Sequence, residues 1–177
     1  RWQQVWEAEG LYAAGAGARR DETFVICVPP PNVTGGLHIG HALNGSIQDV
    51  LVRWHRMRGF DTLWQPGYDH AGISTQNVVE KALAQEGLSR QEIGREAFVE
   101  RTWDWLARTG RTIMGQHRRL GSSLDYSRER FTMDDDSVRA VMTFFVRLWA
   151  RGWPKAVTTP GVGSPTPGSG ASARCSC

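Results

Sequence analysis

Residues 24–42 read Phe24-Val25-Ile26-Cys27-Val28-Pro29-Pro30-Pro31-Asn32-Val33-Thr34-Gly35-Gly36-Leu37-His38-Ile39-Gly40-His41-Ala42. Phe24–Val28 is an unbroken apolar run and reads, from Thr23, as a buried strand. From Ala42 to Arg58 the side chains Leu43, Ile47, Val50, Leu51, Trp54 and Met57 recur at helical spacing. Gly59 is placed to end that helix in a left-handed cap. A strand, a Gly-rich turn and a helix start make a phosphate site, because free backbone N–H groups and the positive helix end converge there. His38 and His41 flank Gly40 at this helix end. Imidazole donors can stabilise developing phosphate charge, and a residue without a side chain lets a flat base approach the backbone. The plainer alternative is a pair of histidines that cap the helix and bond locally.

Working outward, Thr62–Gln65 reads as a second strand, stopped by Pro66 and Gly67. Strand, helix and strand in this order imply a right-handed crossover and a parallel pair. Asp69 then falls at the carboxyl edge of the sheet, where open α/β folds bind ligands. A carboxylate there can pair with an α-ammonium group. It can also serve as a turn or N-cap residue for the next helix, Ser74–Glu86, which Gly87 caps.

The remaining elements are simpler. Trp2–Leu11 is amphipathic, with Trp2, Val5 and Trp6 on one face, and Ala13–Arg20 reads as a small, flexible linker. Ser89 and Glu92 form a candidate capping box. Glu96–Leu120 is helical in pattern, weakened at Gly110 and Gly115. Thr132 and Asp135 suggest another capped start, followed by the stripe Val138, Val141, Met142, Phe145 and Leu148 up to Gly152. The tryptophans from 103 to 153 read as core. Asp125 and Arg128 read as a loop ion pair. Arg118, Arg119, Arg128 and Arg130 read as a basic face for nucleic acid or as a solvated helix end.

Pro154–Cys177 is rich in Pro, Gly, Ser and Thr and cannot repay its ordering entropy by burial. The expected organisation is thus a domain over 1–153 and a disordered tail over 154–177. The 177 residues carry a net charge of +3, which permits nucleic-acid binding without demanding it. No apolar run is long enough to cross a membrane, and no signal peptide is visible. Cys27 reads as a buried packing thiol. Cys175 and Cys177 are too close together and too isolated for a metal framework, so no metal site is expected and a reducing compartment is.

Taken in order, several blocks resemble the class I aminoacyl-tRNA synthetases over about Trp2–Gly152. They are Pro29–Ala42, which resembles the family's first signature; Gly67–Gln76, with Ser74 where the family more often has Ala; Leu120–Glu129; and Phe131–Asp134. The run Pro29-Pro30-Pro31-Asn32-Val33-Thr34-Gly35 resembles the valyl enzymes in particular. The resemblance implies a partial Rossmann-like, HUP-type α/β fold: a parallel sheet with flanking helices, followed by a helical segment. It implies ATP-dependent activation of valine to valyl-adenylate and transfer to tRNA(Val), in the cytoplasm and by a monomer. Mg²⁺ would travel with ATP, since no carboxylate cluster is evident that would hold it.

By resemblance, His38 and His41 face the ATP phosphates as catalytic groups, and Gly36, His38, Gly40 and His41 bind ATP. Pro30, Asn32 and Asp69 bind the amino acid, while His70 and Gln76 contact nucleotide or hold the loop. The family's second, lysine-bearing signature, its editing insertion and its anticodon-binding domain are not among these 177 residues. An incomplete, weakly active or inactive fragment is the expectation, with a tail that is frameshifted, misassembled or a Ser/Pro-rich linker. The alternatives are a nucleotidyl transferase with an HxGH site and an inert nucleotide-binding remnant.

Overall fold

β1 (Thr23–Cys27) and β2 (Asp61–Gln65) pair in parallel, with Val25 opposite Leu63 and Cys27 opposite Gln65. The helix between them, α2 (Ile39–Met57), packs over both strands. This is the expected crossover unit, seen in a computed structural model that describes residues 1–15 and 17–152. The tail expected at 154–177 lies outside the described residues. The chain forms two units, Arg1–Met133 and a second beginning at Asp134.

Trp64 is the centre of the first core, fully buried with Val52 and Leu124. Phe24, Ile26 and Val28 close over them. The indole N–H of Trp64 donates to Gln48 Oε1 at 3.0 Å, so its one polar atom is satisfied. Expectation and structure differ on β1. Its apolar run predicts burial on both faces, yet only alternate residues face the core, while Val25 and Cys27 are exposed. Cys27 is therefore not a buried packing thiol. Successive strand side chains point to opposite faces, and among the described residues only one face is covered.

α2 shows the same inversion. Its apolar stripe is outward: Leu43, Ile47, Val50, Leu51, Trp54 and Met57 are all exposed. Its inward side holds Val52 among polar groups that grip the loop after the long helix. Asp49 accepts from the Ser123 N–H at 3.1 Å and from its hydroxyl, and Arg53 donates to the Gly121 carbonyl at 2.7 Å. Arg56 donates to Ser123 Oγ at 2.7 Å. Gly59, at φ 86°, closes the helix as expected, with the Phe60 N–H reaching back to the His55 carbonyl.

The strand pair β3 (Gly67–Tyr68) and β4 (Arg130–Phe131) is also parallel. α3 (Gly72–Gln85) and α4 (Arg90–Leu120) pack through Val79, Leu83 and Phe98. Ser89 and Glu92 form the predicted capping box, and Gly94, at φ 77°, kinks the helix just after its first turn. Gly110 lies inside α4 because the Tyr68 ring rests on it: a Cβ there would come within 2.8 Å of the ring. A third cluster joins Val33 to Leu106, Ile113 and Met114.

The short N-terminal helix α1 covers Trp2–Ala8. Its sequel is less free than a linker: the Ala14 N–H donates to Asp125, and Gly15 donates to Asp61. In the second unit, α5 (Asp135–Ala150) is capped by Asp134, whose side chain accepts from the Ser137 N–H. Thr132 is not the cap. The helix stripe residues Val141, Met142 and Phe145 are exposed. Trp103 and Trp149 are exposed too, so neither is core.

Candidate functional site

The Gly-rich turn runs from the end of β1 into α2. His38 is the N-cap and His41 the third helical residue, and each ring caps a backbone N–H of the turn. The Gly40 N–H donates to His38 Nδ1 at 3.1 Å, and the His38 N–H donates to His41 Nδ1 at 3.2 Å. A backbone N–H can only donate, so each Nδ1 is unprotonated. Both neutral rings therefore carry their proton on Nε2 and keep it as a donor. Their centroids are 3.8 Å apart. Local capping and a phosphate-facing role are thus not alternatives: the caps set the tautomer that a phosphate would meet. The same caps, with the His41 N–H donating to the His38 carbonyl, take up helix-end donors that the sequence reading left free.

Asp69 and Asn32 meet across an isolated parallel bridge, made by the Val33 N–H to the Asp69 carbonyl (3.0 Å) and the Asp69 N–H to the Pro31 carbonyl (2.9 Å). The Pro-rich turn is thereby laid against the end of the Thr62–Tyr68 segment. Asp69 Oδ1 accepts from the Thr132 hydroxyl at 2.9 Å and lies 3.2 Å from His70 Nδ1. Asp69 does not cap α3. That position belongs to Ala71, which sits in the left-handed region at φ 51° without a side-chain cap. A strained alanine next to Asp69 and His70 marks a turn shaped by its surroundings. Pro30 and Asn32 are exposed on the outer side of the turn, whereas Pro31 is buried. His70 is held by Thr132, at 2.6 Å from its Nδ1, and its carbonyl accepts from the buried Thr75 hydroxyl at 2.6 Å.

Three residues that sequence reading missed come from α4 and the segment after it. Gln116 Oε1 accepts the Leu37 N–H at 2.6 Å, and the Trp105 indole donates to the Val33 carbonyl at 2.9 Å. Thr132 links Asp69 to His70. The contacts of Gln116 and Trp105 are separated by more than seventy residues, and no short motif announces them. Asp125 and Arg128 form the expected loop ion pair at 3.3 Å. Arg118 is paired with Glu7, which reduces the free basic face. Among the described residues no group of three or more His, Cys, Asp or Glu could hold a metal ion. Nor is any described helix long and apolar enough to cross a membrane.

Burial, then repulsion between the two imidazoles when both are protonated, holds the His41 pKa below the ordinary histidine value. Burial, then His41, does the same to His117, which lies almost wholly inside. Both rings bind protons less readily folded than unfolded. Their contribution to stability is fully present above about pH 6.5 and is lost as pH falls below it. Urea unfolding between pH 8 and 5 should show this decline, and a His117→Gln chain should show a shallower one. A stability that rises on acidification over that range would contradict the assignment.

Comparison with known proteins agrees with this geometry. The family described as "tRNA synthetases class I (I, L, M and V)" matches residues 1–154. A valine–tRNA ligase of Cereibacter sphaeroides is 58% identical over 86% of this chain and 16% of its own length. One from Geobacter sulfurreducens is 56% identical, over 86% and 17%. The chain thus spans about one sixth of the curated relatives it matches. A crystal structure of the ternary complex of Agrobacterium radiobacter K84 agnB2 LeuRS-tRNA-LeuAMS superposes with a TM-score of 0.66, at 24% identity over 85% of this chain and 17% of that one. That likeness concerns the fold alone, an α/β fold of Rossmann-like type. By its sequence, its parallel crossover unit and its histidine-capped turn, this chain belongs to the class I tRNA synthetases of the I, L, M and V group.

Proposed function

We propose that this chain forms the ATP- and amino-acid-facing part of a valine–tRNA ligase. In the reaction, the valine carboxylate attacks the α-phosphorus of ATP and pyrophosphate leaves, giving valyl-adenylate; the valyl group then passes to tRNA(Val). The carrying observation is the juxtaposition beyond the β1–β2 pair: the doubly histidine-capped turn follows β1, and Asp69, bridged to Asn32, follows β3, the continuation of the chain after β2. The Nε2 protons of His38 and His41 would meet charge accumulating on the phosphate oxygens. Gly40 would leave room for adenine, and Gly36 for the phosphate chain. Asp69 Oδ2, which has no bonded partner among the described residues, would accept from the α-ammonium, with Asn32 beside it and Pro30 against the side chain. Mg²⁺ is assigned to the incoming ATP, as part of the substrate. The setting that suits a free, exposed Cys27 is a reducing cytoplasm.

Calorimetry on the 177-residue chain should detect weak ATP binding and weak valine binding. Asp69→Asn should reduce valine affinity at least roughly tenfold, the worth of a charge-assisted hydrogen bond, and leave ATP unchanged. Valine-dependent pyrophosphate exchange by these 177 residues alone should be very slow. They contain two lysines, Lys81 and Lys155, neither near the turn in sequence. An unmet share of transition-state charge typically costs a hundredfold or more. ATP binding with no valine binding at all would favour a nucleotidyl transferase instead, and robust exchange would show that the two imidazoles suffice.

A further inference from the structure

We infer that Gln116 is the positioning residue that sets the histidine turn for ATP, an inference that rests on the proposed ATP reading. Its carboxamide is wedged between α4 and the turn. The Leu37 N–H donates to Oε1 at 2.6 Å, the shortest backbone-to-side-chain bond in the turn. On the other side, a Cβ added to Gly36 would lie 2.9 Å from Nε2 and 3.1 Å from Oε1. A side chain at position 36 would therefore push the Gln116 carboxamide from its place against the turn. From Leu37 the hold passes along the chain: the His38 N–H donates to His41 Nδ1, and the Gly40 N–H to His38 Nδ1.

Gln116 itself sits among fixed neighbours. Ile113, Met114 and His117 are buried beside it, and Leu37 packs on the same cluster. Trp105, about three turns earlier on the same helix, bonds the Val33 carbonyl. One rigid helix thus holds both ends of the segment from Val33 to Leu37. Gln116 touches backbone, not substrate, and acts through the two histidines.

Gln116→Met keeps the length and loses the acceptor, while Gln116→Glu keeps the acceptor. Amide exchange at Leu37 should quicken roughly tenfold in the Met variant and stay protected in the Glu variant. ATP affinity of the Met variant should fall roughly tenfold and adenosine affinity by clearly less, because the two imidazoles of the turn meet phosphate while adenine needs only the open backbone at Gly40. Unchanged Leu37 exchange in the Met variant would overturn the inference however ATP behaves. So would equal loss of ATP and adenosine, the mark of general destabilisation. A wild-type chain that binds neither ligand refutes the ATP reading itself, and Leu37 exchange still reports whether Gln116 holds the turn.

Discussion

Gly40→Val should lower ATP affinity by roughly a hundredfold or more while the fold stays intact. Two effects act together. A Cβ at position 40 would lie 3.0 Å from His38 Cε1 and 3.1 Å from its Nδ1. That is tight enough to push the ring, and the branched carbons of valine extend the pressure. The ring cannot move without loosening the bond from the Gly40 N–H to Nδ1, which fixes the tautomer. The proposed seat for adenine is filled at the same time. Stability should change little, because Gly40 is exposed in the first turn of α2, where a lost cap is worth about 1 kcal/mol. Gly40→Ala should fall between, since one methyl displaces the ring by a few tenths of an ångström. Calorimetric titration with ATP, paired with thermal unfolding, measures both quantities. A valine variant that binds ATP like the wild type would remove Gly40 from the site.

The histidine turn was legible in the sequence because its parts are neighbours along the chain. Strand, turn and helix start lie within one short segment, and local rules of strand patterning and capping apply to it. The parallel pairing of β1 and β2 followed from the helix between them. What was not legible is how the outside of this segment is met. The exposure of Val25 and Cys27, and the outward apolar stripe of α2, depend on what covers each face, and periodicity identifies a face without naming its neighbour. Gln116 and Trp105 were missed for a related reason. Each bonds a backbone group of the turn, and a backbone N–H or carbonyl leaves no mark in the residue type that offers it. Thr132 was read as a cap, a common use of threonine before an acidic residue. Asp134 took that place, and Thr132 was left to join Asp69 and His70.

Asp125→Ala should be among the most destabilising single changes in Arg1–Met133, by about 3 kcal/mol or more. The carboxylate is almost fully buried. Oδ1 accepts from the Ser127 N–H at 3.2 Å and from the Ser127 hydroxyl, and Oδ2 accepts from the Ala14 N–H at 3.2 Å. Its own N–H donates to the Trp64 carbonyl at 3.0 Å, next to the fully buried Leu124. The side chain therefore ties the N-terminal segment to the loop after α4, and the backbone N–H joins that loop to the edge of the β1–β2 core. Alanine would leave these part-buried donors without their acceptor, and an unsatisfied donor out of water costs about 1–3 kcal/mol. The loss corresponds to a melting temperature lower by roughly 10 °C for a chain of this size.

The ion pair with Arg128 is not the main contribution. The Arg128 side chain is 46% exposed, so water can replace the partner, and Arg128→Ala should cost less than about 1 kcal/mol. Asp125→Asn should fall between the two, because its amide oxygen can still accept from Ser127 while its NH₂ cannot accept from Ala14. Thermal and urea unfolding of the three variants decide the point. Equal losses for Asp125→Ala and Arg128→Ala would mean that the charge pair, and not the buried acceptor, holds the N-terminal segment to this loop.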